Sequence, residues 1–71
     1  MTKYLIVVET AATGYPAFSP DLPGCIATGA SREEVEKTMR EAVQLHLDGL
    51  REEDLNVPAP HSYSMYCELP A

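Results

Sequence analysis

Seven consecutive residues, Ser19-Pro20-Asp21-Leu22-Pro23-Gly24-Cys25, restrict this chain more than any other stretch. Two prolines fix φ and remove two backbone donors, so the stretch cannot run through the middle of a sheet. Each proline also drives the residue before it, Ser19 and Leu22, toward extended geometry. Pro23-Gly24 is a turn pair, because glycine takes φ > 0 without a Cβ penalty, and Gly24 is expected to do so. Strand-like residues flank the stretch, Tyr15 to Ser19 before it and Gly24 to Thr28 after it. The direct reading is a rigid hairpin corner in which Gly24 is indispensable, while Asp21 is free to serve binding and its loss is tolerated by the fold.

The corner organises the elements on either side of it. Lys3 to Glu9 reads as a first strand rich in Tyr, Ile and Val. Tyr4, Ile6 and Val8 share one of its faces and Leu5 and Val7 the other, so both faces want cover. Tyr15 to Ser19 is the second strand, where Pro16 predicts an edge position or a bulge. Gly24 to Thr28 is the third. Ser31-Arg32-Glu33-Glu34 is a capping box, with the Ser31 hydroxyl accepting from the Glu34 amide and the Glu34 carboxylate reaching back. It opens a helix from Arg32 to about Glu53, on which Val35, Met39, Ala42, Val43, His46 and Leu50 form one stripe. A helix of that length spans roughly 33 Å, against about 23 Å for a seven-residue strand. It should overhang the sheet near Leu45 and Leu47, leaving apolar surface for a partner. Leu55-Asn56-Val57-Pro58-Ala59-Pro60 ends the helix, and Ser62 to Leu69 alternates as a last strand, with Tyr63, Met65, Cys67 and Leu69 on one face. The expected fold is α+β: a two-layer β-β-β-α-β unit, mainly antiparallel, with strand order 3-2-1-4 and the helix on one face.

Size and charge narrow the function. With 71 residues the chain makes a single domain, residues 1–71. A core this small is marginal, and with the doubly apolar first strand it predicts a homodimer or dimer of dimers. Met1-Thr2-Lys3 leads straight into a strand pattern rather than a signal peptide, and the apolar run Tyr4 to Val8 is too short for a membrane. A cytoplasmic protein with reduced thiols is expected. Five Lys and Arg stand against 11 Asp and Glu, a net charge of −6. Direct nucleic-acid binding requires clustered basic residues, so the balance disfavours it and favours a basic partner.

No residue set announces catalysis. His46, His61, Cys25 and Cys67 lack the spacing of a metal site, so neither a metal nor another cofactor is expected. His46 reads as a core or interface histidine, and Cys67 as a small apolar core residue. Cys25 follows Gly24 at a turn and is the one candidate nucleophile. Glu9 closes the first strand, and Glu33, Glu36, Glu41, Asp48 and Glu68 point away from the apolar stripes. They do not converge as a two-metal nuclease requires. The chain reads as a non-enzyme.

The ordered set of an aromatic strand, Asp21-Leu22-Pro23-Gly24-Cys25, the Ser31-Arg32-Glu33-Glu34 helix start and Val57-Pro58-Ala59-Pro60 resembles the N-terminal domain of the HicB antitoxins. The resemblance covers about Tyr4 to Tyr66. It implies a partial ribonuclease H-like fold and inhibition of a HicA-type toxin, a small basic ribonuclease with a double-stranded-RNA-binding-like fold. The inhibitor would dock on the toxin's RNA-binding face. Pro20, Asp21, Leu22, Pro23 and Gly24 are the expected toxin-binding residues, with Ser31, Glu34 and His46 structural. Many HicB proteins carry a further C-terminal DNA-binding domain. The sequence stops at Ala71, so that domain and operator binding are not expected. Two other readings stay open: a regulatory module holding a small molecule, which would show a concave apolar pocket with converging polar groups, and a hydrolase using Cys25.

Overall fold

A computed structural model describes residues 2–70. Three strands, β1 (Val7–Val8), β2 (Tyr15–Phe18) and β3 (Ile26–Gly29), precede one helix, α1 (Arg32–Glu52). The sheet is antiparallel throughout, in the order β1-β2-β3. Val7 faces Phe18 and Val8 faces Ala17; on the other side Tyr15 faces Gly29 and Phe18 faces Ile26. Helix and sheet form two layers, with α1 lying mainly over β3 and β2 and reaching β1 only at its fringe.

Pro16 occupies the central strand rather than an edge or a bulge. The ladder tolerates it because of where it falls. The Glu9 amide donates to the Pro16 carbonyl at 2.9 Å. A strand residue's N–H and C=O point the same way, so the missing donor of Pro16 faces Glu9, just past the end of β1. One return bond is forfeited at a place where the pairing is already ending.

The helix starts with the Ser31 half of its capping box; the expected return bond from the Glu34 carboxylate is not among the hydrogen bonds of the described residues. Ser31 is extended (φ −140°, ψ 166°) and its Oγ accepts from the Glu34 amide at 3.1 Å. Glu33 and Glu34 lie in the first turn, where the helix dipole favours negative charge. The helix ends in a Schellman pattern: Leu55 N–H donates to Leu50 C=O at 2.9 Å and Asp54 N–H to Arg51 C=O at 3.1 Å. Asp54 takes the left-handed position, at φ 56°. Close approach of the layers depends on Gly29, since a Cβ there would stand 2.7 Å from the Val35 nitrogen.

Ala17, Leu22, Cys25, Val35, Met39 and Leu47 form the buried core, with Tyr4, Ile6, Val8, Tyr15, Ala27, Ala42, Val43 and Leu50 packed against it. The helical stripe is largely as its periodicity predicts. Leu47 differs, being buried in the core rather than on the overhang, while Leu45 is 72% exposed.

The fourth strand is the principal correction. Residues 62–69 form no ladder in this chain, so the sheet has three strands and the order 3-2-1-4 reduces to its first three members. Tyr63, Met65, Tyr66 and Leu69 are all strongly exposed. Alternation makes a segment able to add to a sheet, but a strand exists only where another strand offers its backbone. Here the segment lies clear of the body.

Candidate functional site

The corner is built from two successive turns. Leu22 N–H donates to Ser19 C=O at 3.2 Å, Cys25 N–H donates to Leu22 C=O at 3.1 Å, and Ser19 N–H closes the hairpin on Cys25 C=O at 3.3 Å. Gly24 has φ 82°, the value a type II turn requires after proline. The Ser19 hydroxyl donates to the Leu5 carbonyl at 3.0 Å, tying the corner to the start of the chain. Leu22 points inward from the corner and has no exposed surface.

Asp21 also points inward, 2% exposed. One carboxylate oxygen accepts from the His61 and Ser62 amides, both at 3.0 Å. The other accepts from the Ser62 hydroxyl at 2.6 Å and lies 3.2 Å from His61 Nε2. The Ser62 hydroxyl bond is the main reason its carboxyl is held below the usual value of 3.8. Desolvation opposes this, and the two amides and the His61 ring add to it. Asp21 is therefore a latch that fastens residues 61 and 62 to the corner. The Tyr4 hydroxyl donates to the Pro58 carbonyl nearby, so the incoming loop is held at two points.

The five corner residues thus divide by burial. Pro20, Pro23 and Gly24 face solvent, whereas Asp21 and Leu22 are buried. Ser31 and Glu34 act at the helix cap, and His46 is half-buried on the helical stripe. The site residues missing from the sequence reading are His61 and Ser62. They stand 40 and 41 positions from Asp21, and no local pattern connects them to it. The signal that could have found them is chemical: a carboxylate in so tight a corner is buried and needs donors from elsewhere.

The remaining candidates do not converge on chemistry. Burial pushes the Cys25 thiol up from its ordinary value, which disfavours the thiolate a nucleophile needs. Cys67 is exposed. Among the described residues no three His, Cys, Asp or Glu side chains stand together as a metal would require, and no helix is long and apolar enough to cross a membrane. A cleft of about 420 Å³ lies between the first hairpin and the helix start, lined by Thr13, Tyr15, Thr28 and Glu34 among others. Two further clefts, of about 370 and 310 Å³, adjoin along β1 beside the helix.

The charge is on the outside. Glu33, Glu34, Glu36, Glu41, Asp48, Glu52 and Glu53 are all exposed along α1. Arg40 reaches Glu36 at 3.9 Å and Arg51 reaches Asp48 at 3.6 Å. Such exposed pairs are weak, and α1 keeps a small acidic excess, six acidic residues against four basic ones. The described residues thus present a rigid plugged corner beside a charged helix.

The comparison with known proteins gives the family. Residues 4–71 match the model of the HicB-like antitoxins of bacterial toxin–antitoxin systems, and the chain belongs to that family. It is 31% identical over 67 residues to an uncharacterized 14.9 kDa protein from the rep-hol intergenic region of Haemophilus phage HP1, covering 94% of this chain and 50% of that one. It is 41% identical over 49 residues to a UPF0150 protein of Helicobacter pylori strain J99, covering 69% of this chain and 68% of that protein. The chain thus spans half the length of the phage relative.

Proposed function

We propose that this protein is an antitoxin that binds a small basic ribonuclease of the HicA type and inhibits it by occlusion. The observation that carries the reading is membership of the HicB-like antitoxin family over residues 4–71. The physical properties agree with it. A net charge of −6 speeds encounter with a basic protein. Six of the 11 acidic residues lie on the rigid, well-capped helix, among four basic ones, so little is lost in ordering them on binding. Within the corner, Pro20, Pro23 and Gly24 are the contact candidates, because they face solvent and their turns hold them still. Asp21 and Leu22 serve from behind by keeping that surface in shape. The fold reading that accompanies this proposal is the partial ribonuclease H-like one, with homo-oligomeric assembly.

The test is a mixture of this protein with the HicA-like toxin encoded nearest to it, followed by RNA cleavage and complex formation. Cleavage should be blocked at equimolar protein, and association should slow as salt rises, since exposed charges are screened over about 8–10 Å near physiological ionic strength. Unchanged cleavage with no complex would remove the antitoxin role for that pair.

A further inference from the structure

A segment with the alternation of a strand but no sheet, and a sheet edge with no neighbour, occur in the same molecule. We propose that two copies of this chain exchange residues 62–69, each segment adding as a fourth strand along the open edge of the other copy's β1. The occupant is a second copy of this chain, and the inference does not depend on the toxin reading.

The receiving surface is a groove. The clefts of about 370 and 310 Å³ share Ile6 and Arg40 and so run on from one another. Tyr4, Ile6 and Val8 line the β1 side, and Met39, Val43 and Leu47 the helix side. Thr2, Glu36, Arg40, Gln44 and Arg51 also line it, so its apolar side chains stand among polar and charged ones, and it lies where α1 reaches the sheet least. Both faces of the run from Tyr4 to Val8 remain only half-buried, an edge that soluble proteins ordinarily cover.

The donated segment matches it in pattern and length. Tyr63, Met65, Cys67 and Leu69 lie on one face at a spacing of two, the same spacing as Tyr4, Ile6 and Val8 across the groove. Eight residues of strand extend about 26 Å, longer than the regular β1 of Val7–Val8, so the added strand would also pair with the run before it, from Tyr4. Tyr63, Met65, Tyr66 and Leu69 are between 77% and 96% exposed, which is costly for a segment with no partner. The groove-facing side of the segment carries three of these large side chains, Tyr63, Met65 and Leu69, and a reciprocal exchange contributes them twice.

The geometry directs the segment to another molecule. Its root is held at the corner by the Asp21 bonds to His61 and Ser62. From there it runs away from the body: the molecule measures 50 × 26 × 19 Å with a radius of gyration of 13.9 Å, against about 11 Å for a compact chain of this length. The exchange is reciprocal, so it closes as a dimer.

Sedimentation equilibrium of the full chain at micromolar concentration should give twice 7.8 kDa. In a sample mixing isotope-labelled and unlabelled chains, filtered NOEs should connect the Met65 and Leu69 methyls of one chain to Ile6 and Val8 of the other. Met65→Glu, at a position 77% exposed in the single chain, should weaken self-association about tenfold or more by placing a charge in the groove, with the helical circular dichroism unchanged. Ile26→Glu, on the opposite edge of the sheet, should leave association intact. A monomer would overturn the proposal, as would the same NOEs arising within one chain, or a dimer that Ile26→Glu disrupts and Met65→Glu does not. No toxin enters these measurements, so their failure leaves the antitoxin reading standing.

Discussion

The corner at residues 19–25 and the segment at residues 62–70 have exchanged the roles their local sequences suggest. The corner carries two prolines and a glycine, the composition of a surface loop. Yet it buries Ser19, Asp21, Leu22 and Cys25. The later segment carries Tyr63, Met65, Tyr66 and Leu69 in strand-like alternation, and all four side chains face solvent. Burial follows the presence of a partner surface. The corner sits between the sheet end and the returning chain, so its inward groups meet neighbours on every side. The segment has a neighbour only at its root.

The widest separation between the two regions is expected from Leu22→Ala. A fully buried leucine truncated in a core of six buried apolar residues should cost about 3 kcal/mol. That is a large share of the stability of a domain this size. Urea unfolding measures it; a loss below about 1 kcal/mol would mean the corner is not the plug its burial implies.

Asp21→Asn comes next and tests the link between the two regions. Asparagine can replace only one acceptor oxygen. Its oxygen can keep the His61 and Ser62 amides while its N–H₂ donates to the Ser62 hydroxyl, so what is lost is the charged acceptor. The melting temperature should fall by about 5 °C, and the Ser62 amide should exchange faster with solvent. The native latch has a defined pH window. Its folded carboxyl titrates below the ordinary 3.8, so its contribution is complete above that value and is lost as pH falls toward the lowered one. Native protein should lose stability across that acid window more steeply than the Asp21→Asn variant.

Gly24→Val should cost about as much as the latch variant and less than Leu22→Ala. No atom lies within 4 Å of a Cβ at Gly24, so the cost comes only from holding valine at φ 82°, about 1–2 kcal/mol. A thermal melt should place it below Leu22→Ala. A loss as large as that of Leu22→Ala would show that the turn, rather than the plug, sets the stability of the corner.

Local chemistry made much of the chain legible. The Pro-Gly turn, the Ser31 cap, the helix from Arg32 and its stripe all depend on contacts within a few residues, and the structure forms each of them. The apolar first strand and the antiparallel hairpins are there too, though β1 keeps a regular ladder only at Val7–Val8. The resemblance carried by Asp21 to Cys25 and Val57 to Pro60 led to the family that the whole-chain comparison gives.

Other outcomes waited on groups far apart in sequence. Pro16 is acceptable in a central strand only because β1 ends opposite it. Leu47 enters the core although it flanks the predicted stripe. Asp21 becomes a latch because residues 61 and 62 return to the corner with three donors between them. Residues 62–69 have the pattern of a strand and yet join no sheet in the single chain. By itself the sequence determined which segments could bend, coil or pair, since those preferences reside in φ, side-chain shape and nearest neighbours. Which carboxylate is buried, and whether an alternating segment finds an edge, only the tertiary structure decided. Both depend on the position of a partner that the local chain does not contain.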